Sequence, residues 1–293
     1  MDWLRRMNSA MDYIEAHLAE NISYEKIAQT ACCSTYHFQR MFSFITGVPL
    51  SEYIRRRRLT LAAFELQSGA PKIIDLALKY GYESPEAFSR AFKSLHGIMP
   101  TSAHNEGVAL KAYPRMSFHI SIKGDVEMNY RIEKKDAFKV CGMSTEISVV
   151  DGQNYILIPK FWDENAENGA IDKFHEAIGL DKDVCLHAAL YNFREGVFSY
   201  MICYNTPQSG APTGYSELSV PAFTWAIFPT PVHAESEITE QIQSIWKRIF
   251  PEWFPTSGYE HADGPELEMY FNKGNGKYVS EVWIPVVKSN KAL

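Results

Sequence analysis

A nine-residue segment occurs twice in this chain, fifty residues apart. Residues 34–42 read STYHFQRMF and residues 84–92 read SPEAFSRAF, so a serine, two phenylalanines and an arginine stand in the same relative positions. The correspondence continues to Gly47 and Gly97. A duplicated segment indicates a duplicated structural unit, and the pattern inside each copy shows which unit it is.

Each copy has the pattern of an amphipathic helix that follows a capping residue. Ser34 and Ser84 are good N-caps, and Pro85 would stand at the first helical position, where its missing N–H costs nothing. Apolar residues then recur at i, i+3, i+4 and i+7 in both copies: Phe38, Met41, Phe42 and Ile45, and Phe88, Ala91, Phe92 and Leu95. The pattern predicts two helix-turn-helix units, each with one buried face.

The opposite face of each predicted helix is polar. It carries Tyr36, His37, Gln39 and Arg40 in the first copy, and Pro85, Glu86, Ser89, Arg90 and Lys93 in the second. In the major groove of DNA, arginine pairs with guanine, glutamine with adenine and glutamate with cytosine. The alternative is that the two segments are amphipathic helices of an ordinary helical bundle, which would be enough to explain a single polar face. An arginine at the same place in both copies favours reading of DNA.

Charge is distributed unevenly along the 293 residues. The net charge of −6 by itself argues against nucleic acid, but residues 1–110 hold 12 Lys and Arg against 11 Asp and Glu, whereas residues 111–293 hold 17 against 24. The acidity therefore belongs to the second part. In the first part, Arg55 begins a run of four arginines at 55–58, which is either a phosphate-binding patch or a solvated helix face.

Several classes of protein are disfavoured by the sequence. No apolar run approaches the roughly 18 residues of a membrane span, and the N-terminus lacks a signal-peptide core. The five cysteines lack metal-ligand spacing, which predicts reduced thiols in the cytoplasm. His175, His187 and His233 are scattered, and the chain contains neither a Gly-rich phosphate loop nor a nucleophile elbow. We expect no metal, cofactor or membrane partner.

From about residue 125 the pattern changes to alternating strands and helices. Predicted strands cover residues 128–133, 138–148, 184–190, 197–204, 217–228, 267–272 and 277–287. Predicted helices cover 155–178, with Gly169 as the candidate point of interruption, and 235–250, and a hairpin turns around 194–196. Gly142 would be a bulge or a point of close approach. Two strand-helix-strand-strand cycles predict an α+β domain with pseudo-twofold symmetry.

Residues 1–104 resemble the DNA-binding domain of the AraC/XylS family of transcription regulators. The resemblance is carried by ALKYGYES at 77–84 and FSRAFK at 88–93. It implies an all-α double helix-turn-helix in which a linking helix holds two recognition helices about one DNA turn (roughly 34 Å) apart. Double-stranded DNA, read in two adjacent major-groove segments, and RNA polymerase are the partners expected.

The second part resembles the GyrI-like effector-binding domain, through YRIE at 130–133, FKVCG at 138–142, WAIF at 225–228 and SEVWIPV at 280–286. The order of the two domains is that of the Rob-like subgroup. The expected organisation is a DNA-binding domain over residues 1–106, a packed connector over 107–124 and a GyrI-like domain over 125–289.

Glu281 is the predicted centre of an effector site. It shares a strand face with Val279 and Trp283, and GyrI-like domains place an acidic residue at this strand position in their pocket, so the site would take a lipophilic or cationic small molecule. Solvent exposure is the alternative for a strand glutamate. Candidate wall residues are Trp162, Tyr191, Tyr200, Phe223, Trp225, Glu268 and Tyr270.

Together these features predict a ligand-responsive transcription regulator rather than an enzyme. One alternative is that the second domain also hydrolyses reactive electrophilic compounds, with Glu281 and a tyrosine as base and acid. Another is that it binds a partner protein. Two reading heads on one chain could bind DNA as a monomer, and a homodimer formed through the second domain stays open.

Overall fold

A computed structural model describes residues 2–69, 71–105, 107–118, 127–149, 152–194 and 196–288. The chain forms two compact units: residues 1–39 with 50–122, and residues 40–49 with 123–293. The predicted boundaries at 106, 124–125 and 289 lie outside the described residues and stay predictions.

The first unit is helical. Its elements are α1 (Asp2–Ala16), α2 (Tyr24–Ala31), the first part of α3 (Thr35–Thr46), α4 (Leu50–Ser68), α5 (Ile73–Lys79), α6 (Pro85–His96) and a 3-10 turn at Pro100–Ser102. The double helix-turn-helix predicted from the repeat is confirmed as two successive pairs, α2 with α3 and α5 with α6.

The caps and buried faces of the two repeated helices follow the sequence pattern. Ser34 Oγ accepts a hydrogen bond from the backbone N–H of His37 at 3.1 Å, and Ser84 Oγ accepts one from Ala87 at 3.1 Å. Phe38, Phe42, Phe88 and Phe92 are all fully buried or nearly so. Each copy therefore places its apolar stripe in a core, as the spacing predicts.

We expect Ser84→Ala to lower the free energy of unfolding by about 1 kcal/mol, because the N-terminal amides of α6 would lose their side-chain acceptor. Urea unfolding of the full chain, followed by far-ultraviolet circular dichroism, would measure the change. Ser94→Ala is the matched control, because Ser94 is an exposed interior residue of the same helix. An equal effect of both substitutions would contradict the capping role of Ser84.

The second unit is a sheet with helices. Its strands are β1 (Arg131–Lys135), β2 (Phe138–Ser148), β3 (His187–Arg194), β4 (Val197–Asn205), β5 (Ser216–Val220), β6 (Phe223–Pro229), β7 (His233–Ala234), β8 (Tyr259–His261), β9 (Glu266–Gly274) and β10 (Lys277–Lys288). Its helices are α7 (Asn154–Glu167), α8 (Ala170–Ile178), α9 (Ile238–Arg248) and α10 (Phe254–Ser257), with a π-helical turn at Ile249–Trp253 before α10.

The strand order, β1-β6-β10-β9-β3-β4-β2-β5, has the predicted pseudo-twofold symmetry, with β7 and β8 as short additions to β10. One half is β2, α7–α8, β3 and β4, and the other is β6, α9, β9 and β10. The two strand-helix-strand-strand units are thus confirmed. In addition, β1 pairs with β6 of the second half and β5 pairs with β2 of the first half, all antiparallel.

Two predicted elements are divided in the structure. The strand expected over 217–228 becomes β5 and β6, separated at Pro221, whose ring nitrogen cannot donate a ladder hydrogen bond. The helix expected over 155–178 becomes α7 and α8, because Gly169 adopts a positive φ of 72°. The hairpin turn expected at 194–196 includes Glu195, which lies outside the described residues.

Candidate effector site and DNA-reading helices

A cavity of about 590 Å³ lies in the second unit, against strands β3, β4, β9 and β10 and helices α7 and α9. This volume falls in the range of small-molecule sites. Its wall includes Trp162 of α7, Trp246 of α9, and Glu268 and Tyr270 of β9, together with Arg40 and Phe44 from the part of α3 that belongs to this unit.

The carboxylate of Glu268 lies in the wall of the cavity and is 3% exposed. Its Oε1 accepts a hydrogen bond from Trp246 Nε1 at 2.6 Å. Its Oε2 accepts one from Tyr200 at 2.8 Å and one from Tyr270 at 2.9 Å. Trp162 Nε1 in turn donates to the Tyr200 hydroxyl at 2.8 Å. A chain of donors therefore points at one carboxylate.

All of these donors are neutral. Burial, and next the Glu268 carboxylate, raise the pKa values of Tyr200 and Tyr270 well above the ordinary tyrosine value, so both hydroxyls stay protonated. Burial also raises the pKa of Glu268, against the effect of its hydrogen bonds. Within the described part of the chain, no lysine, arginine or histidine forms an ion pair with Glu268. Among the described residues, this buried acid thus has no cationic partner.

Glu281 lies on the other face of the sheet. It stands opposite Met269, while Glu268 stands opposite Val282, so the two glutamates point to opposite faces. Arg131 donates to both Glu281 oxygens, at 2.8 and 3.0 Å, and Trp283 Nε1 donates at 2.8 Å. Glu281 therefore does not line this cavity, whose buried carboxylate is Glu268, and the predicted role of Glu281 in an effector site stays a prediction.

The predicted wall residues divide between the two faces. Trp162, Tyr200 and Tyr270 surround Glu268, as described. Tyr191, Phe223, Trp225 and Trp283 pack instead into the hydrophobic cluster on the face of Glu281. There the rings of Trp225 and Trp283 meet edge to face, with centroids 5.9 Å apart. The cavity wall also contains three residues that were not predicted for it, Trp246, Arg40 and Phe44. They could not be predicted because the local sequence of a helix does not show which strand the helix will cover.

The second recognition helix presents its predicted polar face. Glu86, Arg90 and Lys93 are exposed, and Pro85 and Ser89 are partly exposed. No ion pair holds Arg90 within the described residues. This face of α6 is available to DNA.

The first recognition helix differs. Tyr36 and Gln39 are partly exposed, but His37 is 5% and Arg40 7% exposed. Arg40 forms a two-point ion pair with Glu266 of β9, with Nε 3.0 Å from Oε1 and Nη2 hydrogen-bonded to Oε2. Its predicted DNA contact stays a prediction, and it requires this ion pair to open.

The arginine run is largely used inside the first unit. Arg55 donates to both oxygens of Glu52, at 2.6 and 2.8 Å. Arg57 pairs with Glu15 of α1 at 2.7 Å, and Arg58 donates to backbone carbonyls in the segment after α1. Arg57 and Arg58 thus join α4 to the α1 region. The sequence analysis, which considered a phosphate-binding patch or a solvated helix face, did not include this role.

Among the helices that the structure describes, none has the length and apolarity needed to cross a membrane. The described residues also contain no group of three His, Cys, Asp or Glu side chains that could hold a metal ion.

Among curated proteins, the chain is similar to transcription regulators. The transcriptional activator AarP of Providencia stuartii is 45% identical over 89 residues, which are 30% of this chain and 66% of AarP. The regulator Rob of Salmonella typhimurium is 39% identical over 100 residues, 34% of this chain and 35% of Rob. The multiple antibiotic resistance protein MarA of the same species is 36% identical over 105 residues, 34% of this chain and 83% of MarA. This chain thus spans from about a third to two thirds of AarP and Rob.

Comparison with solved structures gives weak likenesses that each cover about half of the chain. A putative transcription regulation protein of Staphylococcus aureus is 18% identical, with a TM-score of 0.42, covering 55% of this chain and 99% of that one. The integron cassette protein VCH_CASS2 of Vibrio cholerae is 17% identical, with a TM-score of 0.39, covering 54% and 95%.

Family matches cover both parts of the chain. Residues 27–105 match the helix-turn-helix domain family, and residues 131–286 match the family described as integron-associated effector binding protein, Cass2. The second match alone spans more than half of the chain, and both agree with the resemblances found in the sequence. The protein therefore belongs to the integron-associated effector binding protein family, with an AraC-type helix-turn-helix domain followed by a GyrI-like effector-binding domain.

Proposed function

We propose that this regulator reads two adjacent major-groove segments of double-stranded DNA and binds a lipophilic cation in the cavity around Glu268. The supporting observation is the environment of that carboxylate: it is buried, its hydrogen-bond donors among the described residues are all neutral, and it lines a cavity of about 590 Å³. A buried carboxylate is costly unless it is paired, so a cationic ligand would supply the missing partner.

The rest of the cavity wall suits the same class of ligand. Among the described lining residues, the charged ones are mostly acidic: Asp163, Asp183, Glu235 and Glu268 against Arg40 and Lys182. Aromatic rings of Tyr155, Trp162 and Trp246 offer faces to a cation and area to a hydrophobic body. A molecule with delocalised positive charge and apolar substituents fits both requirements.

Calorimetric titration of the full chain with tetraphenylphosphonium tests the proposal. Triphenylphosphine oxide is the comparison compound, because it is neutral and presents similar aromatic rings. We expect saturable binding of the cation and binding of the neutral compound that is weaker by about tenfold or more, as loss of a buried charge pair would cause. Equal affinities would show that charge plays no part, and absence of cation binding would remove the proposed ligand class.

The affinity for the cation is expected to fall as the pH is lowered. Burial raises the pKa of Glu268 above the ordinary carboxyl value of 4.5, so the empty site takes up its proton at a higher pH than a free carboxyl does. A bound cation favours the ionised form, so binding is strongest above the raised pKa and weakens below it. Titrations between pH 8 and pH 5 in buffers of different ionisation enthalpy would show proton release on binding. A pH-independent affinity would contradict this expectation.

The cluster around Glu281 is a second candidate site. Trp283 donates a hydrogen bond to its carboxylate, and Trp225 and Phe223 lie beside it. Arg131, however, already neutralises this carboxylate through two hydrogen bonds, so a ligand would have to displace it. This ion pair makes the Glu268 cavity the better candidate.

For DNA binding, the exposed arginine of α6 gives the sharpest test. We expect Arg90→Ala to weaken binding to a duplex selected from a random-sequence library by about 10- to 100-fold, because a bidentate base contact contributes roughly 1–3 kcal/mol. Fluorescence anisotropy would measure it at fixed salt. Lys26→Ala is a control that changes the same charge on a helix outside the predicted reading faces. An unchanged affinity of the Arg90 variant would contradict base reading by α6.

The proposal includes action in the cytoplasm and contact with RNA polymerase, through which a regulator bound near a promoter would act. Sedimentation of the full chain, with and without the selected duplex, would test whether the protein forms a homodimer.

A further inference from the structure

Arg40 combines a predicted role in DNA reading with an observed position in the cavity wall. In the sequence it is a predicted base-reading residue of the first recognition helix, the counterpart of Arg90. In the structure it lines the cavity that holds Glu268. Arg90 is exposed on α6, whereas Arg40 is 7% exposed and lies in the second unit.

The guanidinium of Arg40 is held as a bound cation would be. It forms the two-point ion pair with Glu266, and its central carbon lies 4.2 Å from the ring centroid of Phe193 and 4.9 Å from that of Phe44. A carboxylate together with aromatic faces is the environment that a cationic ligand requires. The chain therefore supplies its own cation to this part of the unit.

The carboxylates of Glu266 and Glu268 form a pair on one face of β9. They are two residues apart on the strand, so their side chains point the same way. Glu266 is fully buried and also accepts a hydrogen bond from His261 Nε2 at 2.8 Å. Of the two carboxylates, Glu266 is neutralised by Arg40, and Glu268 has only neutral donors among the described residues.

We propose, on the basis of the proposed cation site, that a cationic ligand and Arg40 compete for this pair of carboxylates. Without ligand, Arg40 stays on Glu266 and is withheld from DNA. A ligand that enters the cavity brings a second positive charge beside Arg40, which weakens its ion pair and releases the side chain for base contact. The cavity is thereby coupled to DNA reading through one residue.

The coupling follows from differential affinity. A ligand can shift an equilibrium only if it binds one state more tightly, and here the repulsion between ligand and Arg40 exists only in the paired state. Linkage requires the reverse effect as well: DNA that holds Arg40 must tighten the binding of the ligand by the same factor. Couplings of this kind correspond to roughly 5- to 150-fold changes in affinity.

Titration of tetraphenylphosphonium into four full-chain variants tests the competition. Arg40→Gln removes the internal cation, and Arg40→Gln combined with Glu266→Gln removes the ion pair without changing the net charge. We expect both to bind the probe about tenfold more tightly than the wild-type chain, within the range of such couplings. Arg90→Gln is the matched control and should bind like the wild type within about twofold, because Arg90 is not among the residues that line the cavity. Glu268→Gln reports on the cavity itself.

The outcomes separate this proposal from the one on which it rests. If Glu268→Gln loses the probe while both Arg40 variants bind it like the wild type, the cavity site stands and the competition is wrong. If the wild-type chain does not bind the probe, the cation site falls and the competition falls with it. Circular dichroism melting curves show that each variant is folded, and the charge-neutral double variant avoids an unpaired buried carboxylate at Glu266.

Anisotropy with the selected duplex gives the second readout. The probe should raise the DNA affinity of the wild-type chain about fivefold or more, and leave that of Arg40→Gln unchanged. A probe effect of equal size in both proteins would overturn the role of Arg40, because the coupling would then run through other residues.

Discussion

Glu268→Gln is expected to weaken the binding of tetraphenylphosphonium by about 100-fold or more. Glutamine keeps the size of the side chain but removes the charge, and loss of one partner of a buried charge pair costs roughly 2–5 kcal/mol. Its amide nitrogen would also face donors, since Trp246, Tyr200 and Tyr270 all point hydrogens at the carboxylate. Calorimetric titration at pH 7.5 would give the ratio of dissociation constants directly.

Glu281→Gln is the matched control for this experiment. It makes the same chemical change in a buried glutamate of the same sheet, but on the face that does not line the cavity. We expect its affinity for the probe to stay within about threefold of the wild-type value, as is usual for sites that share no contacts. The reverse pattern, with a large loss for Glu281→Gln alone, would move the effector site to the cluster of Trp283 and Trp225.

Gly142→Ala is expected to have the largest effect on stability. A Cβ at this position of β2 would lie 1.9 Å from the carbonyl oxygen of Ile202 and 2.8 Å from Cα of Cys203, both in the backbone of β4. No flexible side chain can move aside, so β2 and β4 would have to separate. We expect a loss of about 3 kcal/mol or more in the free energy of unfolding, at the upper end of overpacking effects.

Urea unfolding followed by tryptophan fluorescence would measure this loss. Gly69→Ala is the control, because its Cβ would meet nothing nearer than 3.8 Å and its backbone is not in the left-handed region. That variant should keep the wild-type midpoint. A stable Gly142→Ala protein would show that β2 and β4 are not packed as closely as described.

The fold was largely predictable because its determinants are local. A capping serine and apolar residues at helical spacing predicted the start and the buried face of α3 and α6 without reference to the rest of the chain. Gly142 was predicted as a bulge or a point of close approach, and the structure shows close approach. The interruption at Gly169 lies where the sequence placed it, whereas the break at Pro221 was missed.

The candidate site was harder to predict because it depends on strand parity and on tertiary contacts. Alternation within β9 and β10 puts Glu268 on one face and Glu281 on the other, but a strand pattern does not say which face α7 and α9 will cover. The aromatic candidates were therefore divided between two sites. The burial of Arg40 could not be foreseen either, because Glu266 lies 226 positions away in the sequence.

The exchange of β1 and β5 makes the two halves of the second unit depend on each other. Each half is completed by the strand that precedes the other half in the sequence: β1 pairs with β6, and β5 pairs with β2. If the chain were cut between β4 and β5 and the two fragments separated, β2 would lose its neighbour β5 and β6 would lose its neighbour β1. The strand edges left unpaired would then be able to pair with other chains. Neither half can therefore keep its complete sheet without the other.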